Sequence, residues 1–196
     1  MAQSFWNDDT NIPDWLMWSG ELSDEICDQI LELCRQLPVQ KATTFRQRDG
    51  HEEDPHRKTD VRWVPNEGDY IPLHQTITHY ALQANQQFGL ALSHLPPIQF
   101  TEYSGVGHHY DFHHDIDWTR QDGKHRKMSI VIQLTDPDDY TGGEFSFRHI
   151  ENPDPDAVRQ RGTILCFLPY HEHAVAPILS GNRTSLVAWF EGPRWR

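Results

Sequence analysis

Two hydrophobic periods divide the chain. Ile26, Ile30, Leu33 and Leu37 recur at helical spacing until Pro38 stops the run. Ser23 precedes them as a good N-cap, and Asp24 and Glu25 sit where a helix dipole favours negative charge. A second helix is predicted from about Pro72 to Phe88, with Leu73, Ile77, Tyr80, Ala84 and Phe88 on one face and Gly89 just past its end. The stretch Lys41–Arg62 between them is charged, carries Gly50 and Pro55, and reads as a long loop or irregular hairpin that could act as a lid. From Ile98 the period changes to two. Ile98–Tyr103, Met128–Leu134, Glu144–Phe147, Thr163–Leu168 and Thr184–Phe190 are short, rich in β-branched and aromatic residues, and separated by turn signals such as Asp136–Asp138, Gly142–Gly143, Asn152–Pro155 and Gly181–Asn182. Strands at this spacing without intervening helices predict an antiparallel sandwich or barrel behind a helical first half.

A length of 196 residues suits one domain with one core. Hydrophobic residues make up only 37%, so the seven Trp and nine Phe must supply much of the buried area. The net charge of −12 argues against a nucleic-acid-coating surface. No run is apolar for long enough to span a membrane, and Met1–Asp9 has neither the basic start nor the apolar run of a signal peptide, so a cytoplasmic protein is expected. Cys27, Cys34 and Cys166 lie in apolar settings and read as reduced core residues, which fits that compartment. Histidine changes the picture. Thirteen is many for this length, and nine fall between His94 and His173.

The densest chemistry is His108–Asp117. On a strand, residues two apart share a face, so His113 with Asp115, or His109 with Asp111, could converge on one ion. His171 and His173 lie about 60 residues downstream. Two histidines and a carboxylate on one face of a metal form the triad of non-haem Fe(II) oxygenases. Ten residues past His173 comes Arg183, and the alternation Arg183, Ser185, Val187, Trp189 puts all four on one strand face. A guanidinium beside a hydroxyl can grip a carboxylate, which implies a dicarboxylate stretched between metal and arginine.

The motifs Tyr103–Asp115, Arg126–Leu134, Asp136–Glu144, Pro169–Pro177 and Gly181–Trp189, in that order, resemble the prolyl-4-hydroxylase-like branch of the 2-oxoglutarate- and Fe(II)-dependent oxygenases, and PKHD-type hydroxylases in particular. The resemblance covers about residues 98–196; the first half matches only loosely. It implies a mainly β fold with supporting helices, a double-stranded β-helix (jelly-roll, cupin-like) core over 98–196, with 1–97 as helical support and lid loop of the same domain. It also implies Fe(II), 2-oxoglutarate and O₂, with ascorbate as reductant. His113, Asp115 and His173 are selected as metal ligands; His109, Asp111, His114 and His171 are not. Arg183 would hold the distal carboxylate of 2-oxoglutarate with Ser185, and Tyr103 would lie beside it. Gln133 stands where prolyl hydroxylases commonly have tyrosine and is kept as a carboxylate contact. Tyr110, Arg126 and Trp189 match positions around the substrate mouth.

Within an acidic chain, Trp118–Lys127 holds Arg120, Lys124, Arg126 and Lys127 against Asp122 alone, and should rim the site just after Asp115. A mouth with mobile loops and aromatics suits a proline-containing peptide, which makes a peptidyl-proline 4-hydroxylase the leading reading. The alternatives are hydroxylation of a free amino acid or other small metabolite, and a non-catalytic peptide-binding module on the same fold. A nucleobase substrate is disfavoured by the charge and the lack of a stacking platform. Oligomeric state is not legible.

Overall fold

The computed structural model describes residues 12–42 and 55–195. In chain order its elements are β1 (Trp15–Trp18), α1 (Asp24–Arg35), β2 (Gln40–Lys41), β3 (Arg57–Lys58), β4 (Asp60–Val64), α2 (Ile71–Phe88), β5 (Ile98–Tyr103), β6 (His109–His113), β7 (Lys124–Gln133), β8 (Tyr140–Gly142), β9 (Phe145–Phe147), α3 (Pro155–Arg159), β10 (Ile164–Phe167), β11 (His173–Val175), β12 (Ile178–Gly181) and β13 (Arg183–Pro193). The larger sheet has the order β1-β10-β7-β13-β5-β4-β2 and is antiparallel throughout. A second antiparallel sheet, β3-β6-β11-β9, lies across from it, and β8 pairs with β12 in a small ribbon.

Strand alternation divides the larger sheet into two unlike faces. Ile98 and Phe100, Met128, Ile130 and Ile132, Ile164 and Cys166, and Leu186, Ala188 and Phe190 pack against Cys27, Ile30 and Cys34 of α1 and Ile77, Ala81, Ala84 and Phe88 of α2. Residues of the opposite parity, among them Gln99, Thr101, Tyr103, Val131, Arg183, Ser185, Val187 and Trp189, point toward the second sheet and line a pocket. The helices therefore cover the dry face, and the polar face is kept for the site.

Both predicted helices form. The Ser23 hydroxyl accepts the Ile26 N–H at 3.4 Å, and Gly89 closes α2 at φ +63°, donating its N–H to Asn85 O. All three cysteines are buried and free. No described helix is long and apolar enough to cross a membrane.

The helical reading of the first half needs correction. β1 lies at the edge of the larger sheet, and the stretch read as a long loop or irregular hairpin holds the end of β2, all of β3 and the start of β4 at its two ends. These strands are short, β2 and β3 are charged, and all four are fixed by pairing, β1 with β10, β2 with β4, β3 with β6 and β4 with β5, rather than by a period of their own. The start Met1–Asp9 and positions 43–54 of the expected lid lie outside the described residues. The basic rim is also not a loop throughout. Lys124–Lys127 already belong to β7, Arg120 pairs with Asp122 and Glu191, and Lys127 is buried with its ammonium 3.7 Å from the Trp195 ring centroid.

Candidate metal and carboxylate site

The second sheet sets the two histidines opposite one another: His113 of β6 and His173 of β11 are register partners. Between this pair and the next, Val175 with Tyr110, β6 spends one residue more than β11. That bulge lets Tyr110 and His113, three apart, share a face; unbroken alternation would have separated them. Their rings stack at 3.4 Å between centroids, 13° from parallel. Asp115 lies just past the end of β6, anchored by its N–H to Pro169 O at 2.8 Å.

One ligand atom from each of His113, Asp115 and His173 lies within 4.8 Å of the others, and this is the metal-capable cluster of such residues found among the described residues. Each imidazole donates from Nδ1 to a main-chain oxygen two residues back, His113 to Asp111 O at 2.8 Å and His173 to His171 O at 2.9 Å. Nε2 of each ring is thereby left facing the carboxylate, 3.6 Å from Asp115 Oδ1 for His113 and 3.6 Å from Oδ2 for His173. Ser129 Oγ donates to Asp115 Oδ2 at 2.6 Å. Burial drives the His173 imidazole down to about 4 despite the pull of Asp115, so its Nε2 keeps a lone pair at neutral pH. Burial works against the Asp115 carboxylate, yet the flanking imidazoles and Arg126 outweigh it and hold the carboxyl below the usual carboxylate range. Two imidazole nitrogens and one carboxylate oxygen, converging inside a pocket, fit a divalent first-row metal.

Arg183 lines the same pocket from the other sheet. It is only 4% exposed, and no carboxylate of the described residues lies within ion-pair distance of its guanidinium. It faces Tyr103 across the β13–β5 register, with the guanidinium 5.4 Å from the ring centroid. Gly143, at φ +66°, makes room for it: a Cβ there would come within 3.1 Å of Arg183 Cδ and 2.6 Å of Ile178 Cδ1. A buried cation with no protein counter-charge fits a ligand carboxylate. β12 lies between His173 and Arg183 in the chain, and Arg183 sits on the opposite sheet from His113 and His173.

The remaining expected residues divide. Ser185, Tyr103, Tyr110 and Trp189 line the pocket. Burial raises the Tyr110 phenol to about 12, so it stays protonated. Arg126 stacks on Trp189 at 3.7 Å and donates to Asp115 O at 3.3 Å, tying mouth to ligand loop. Gln133 does not reach the main pocket; its amide donates to Tyr140 Oη at 3.1 Å and Thr135 O at 3.2 Å, and it borders an adjoining cavity with Arg183. His109 and Asp111 stay outside the cluster; Asp111 meets His56 at 3.0 Å. His114 approaches Trp118, and His171 approaches Asp14 at 3.1 Å. Sequence reasoning missed Arg57, Gln99, Thr101 and Phe145, all of which line the pocket. The inward parity of β5 was the available signal for Gln99 and Thr101.

Residues 98–191 match the family model described as the 2OG-Fe(II) oxygenase superfamily. Among curated proteins, a PKHD-type hydroxylase of Polaromonas sp. (strain JS666 / ATCC BAA-500) is 32% identical over 111 residues, 50% of this chain and 46% of the relative. The match thus spans less than half the length of that relative. Among solved structures, a Pseudomonas putida prolyl-4-hydroxylase aligns with TM-score 0.68 at 22% identity, covering 96% of this chain and 97% of that one. A prolyl hydroxylase from Trichoplax adhaerens, solved with a hypoxia inducible factor oxygen degradation domain peptide fragment, aligns with TM-score 0.69 at 15% identity, covering 93% and 86%. These likenesses identify the fold as the double-stranded β-helix expected from the sequence.

Proposed function

We propose that this chain is a 2OG-Fe(II) oxygenase, a reading supported by the match of residues 98–191 to that superfamily's model, and that it is a dioxygenase that hydroxylates a prolyl C–H bond in a peptide. The superfamily brings Fe(II), 2-oxoglutarate and O₂. When bound, they supply the oxidising power: one oxygen of O₂ enters the C–H bond as hydroxyl, and the other enters the succinate formed as CO₂ leaves. The observation that carries the reading is a three-ligand metal cluster sharing one pocket with a buried, unpaired arginine.

In this reading His113, Asp115 and His173 hold the iron, and Ser129 fixes the rotamer of the carboxylate. Arg183 takes the distal carboxylate of 2-oxoglutarate, with Ser185 and Tyr103 beside it. Tyr110, packed flat on His113, fixes that ring and presents a protonated phenol to the pocket. Arg126 and Trp189 form one wall of the mouth and orient the substrate, where small misplacements cost large factors in rate. The peptide assignment draws support from the prolyl hydroxylases that share the fold, one of them solved with a peptide. The test is succinate release with Fe(II), 2-oxoglutarate and ascorbate, with and without proline-containing peptides, followed by mass spectrometry. The expected result is peptide-stimulated succinate and a gain of one oxygen on a prolyl residue. Robust turnover of free proline or another free amino acid with no peptide activity would replace the peptidyl reading with a metabolite hydroxylase.

A further inference from the structure

Arg57 is a second buried arginine in the pocket, 7% exposed, and its partners among the described residues are neutral. Its Nη2 donates to Gln99 Oε1 at 2.6 Å, and its guanidinium lies 4.4 Å from the Tyr110 ring centroid. Its Nε is buried with no hydrogen-bond partner, and no carboxylate of the described residues lies within ion-pair distance of it. Trp189 Nε1, in the same pocket, is also buried and without an acceptor. Both unused donors line one pocket. Gln99, which Arg57 grips, is the register partner of Val187, whereas Arg183 is the partner of Tyr103. Four residues of extended strand set the backbones of those pairs about 13 Å apart, so Gln99 holds Arg57 at a different level of the strands from Arg183.

The charges lead to the same place. In the dioxygenase reading Asp115 would face the metal, the metal and Arg183 would take the two carboxylates of 2-oxoglutarate, and Arg57 is a buried cation with no anion beside it among the described residues. We propose that the substrate carries a carboxylate that docks on Arg57, with Trp189 Nε1 donating to a neighbouring acceptor of the same molecule. This rests on the dioxygenase reading above and narrows its substrate class. The carboxylate could belong to an Asp or Glu side chain near the target residue, to a free C-terminus, or to a free amino acid.

Matched pairs separate these sources: a capped proline peptide with Glu against its Gln twin at each position near proline, a neutral proline peptide as free acid against its amide, and L-proline against L-prolinamide. Binding is read by isothermal titration, without oxygen, on protein loaded with Mn(II) and 2-oxoglutarate. We expect at least one pair to favour the carboxylate by roughly 10- to 100-fold, as a charge-assisted, desolvated pair should. Arg57→Gln should erase the preference. Arg57→Lys, which keeps the charge and loses the fork, should reduce it, and it carries the test alone if Arg57→Gln does not fold. No carboxylate preference in any pair, or a preference unchanged in these variants, overturns the proposal. Oxygen gain is read separately by mass spectrometry: if no peptide is hydroxylated, the peptidyl-prolyl reading fails, and the Arg57 result stands or falls by its own titrations.

Discussion

Each metal-directed imidazole is oriented by a main-chain oxygen rather than by a side chain, and that decides which substitutions matter. His173 leans on the carbonyl of His171 and His113 on that of Asp111, so truncating either supporting side chain leaves its carbonyl in place. His171→Ala and Asp111→Ala should therefore retain metal, as should His109→Ala, which lies outside the cluster. His113→Ala, Asp115→Ala or His173→Ala should each weaken Mn(II) binding, measured by isothermal titration, by roughly 100-fold or more and abolish Fe(II)-dependent 2-oxoglutarate turnover. Loss of metal in His171→Ala with retention in His173→Ala would reverse the ligand assignment. Ser129→Ala removes only the 2.6 Å bond to Asp115 Oδ2 and should cost about 10- to 100-fold in metal affinity. Spacing alone left His109 with Asp111 open beside His113 with Asp115. The bulge in β6 separates them physically, because it turns Tyr110 and His113 inward together and leaves Asp111 half exposed. No residue pattern in the sequence announces an extra residue in a five-residue strand.

At the level of elements, parity was the most legible signal. The alternation of β13 named Arg183, Ser185, Val187 and Trp189 as one face, and those four line the pocket. β5 was bounded at Ile98–Tyr103 in both the sequence and the structure. What sequence could not give is β3: two residues, Arg57 and Lys58, carry no period, and only pairing with His109 and Tyr110 makes them a strand. Gln133 shows the opposite failure. Its parity is right, but its amide nitrogen already donates to Tyr140 Oη and Thr135 O. Arg183→Ala tests the clamp face. Losing a desolvated, charge-assisted pair costs on the order of 2–4 kcal/mol, so 2-oxoglutarate binding should fall roughly 30- to 1,000-fold while Mn(II) binding changes far less. An unchanged 2-oxoglutarate dissociation constant would put the carboxylate elsewhere. A second test belongs to the α2–β4 junction, where buried His74 reaches Val64 O at 3.2 Å and burial holds its imidazole below the ordinary histidine range. The unfolded chain then binds the proton more readily, so this contribution is complete above the unfolded value of about 6.5 and is lost as pH falls below it. Urea unfolding between pH 7.5 and 5 should show a shallower loss of stability in His74→Leu than in the wild type. Identical slopes would remove His74 from the account.

On the scale of the whole molecule, the site is the place where two sheets are asked to act as one. The second sheet supplies His113 and His173, and the larger sheet supplies Arg183 and, through Ser129, the brace on Asp115. The apolar core lies on the other face of the larger sheet, under α1 and α2, so it does not clamp the two sheets together across the pocket. Two smaller clusters make the dry contacts around the pocket: Phe147, Leu165 and Phe167, with Phe167 4.7 Å from the His173 ring, and Tyr103 with Tyr140, Val175 and Ile178. Metal and 2-oxoglutarate should therefore stabilise the fold in two distinguishable steps. A ligand at about 100 times its dissociation constant adds about 2.7 kcal/mol, and for a chain of this size each kcal/mol raises the melting temperature by about 2–4 °C. Mn(II) alone should raise it by roughly 5–10 °C, and 2-oxoglutarate added to the Mn(II)-loaded protein should raise it further. With a chelator present, 2-oxoglutarate alone should do much less, since Arg183 would then hold one carboxylate and nothing would hold the other. Arg183→Ala should keep the Mn(II) step and lose the 2-oxoglutarate step, whereas His173→Ala should lose both. Differential scanning calorimetry reads all four conditions. An equal 2-oxoglutarate step with and without metal would mean that the two ligands do not share this pocket.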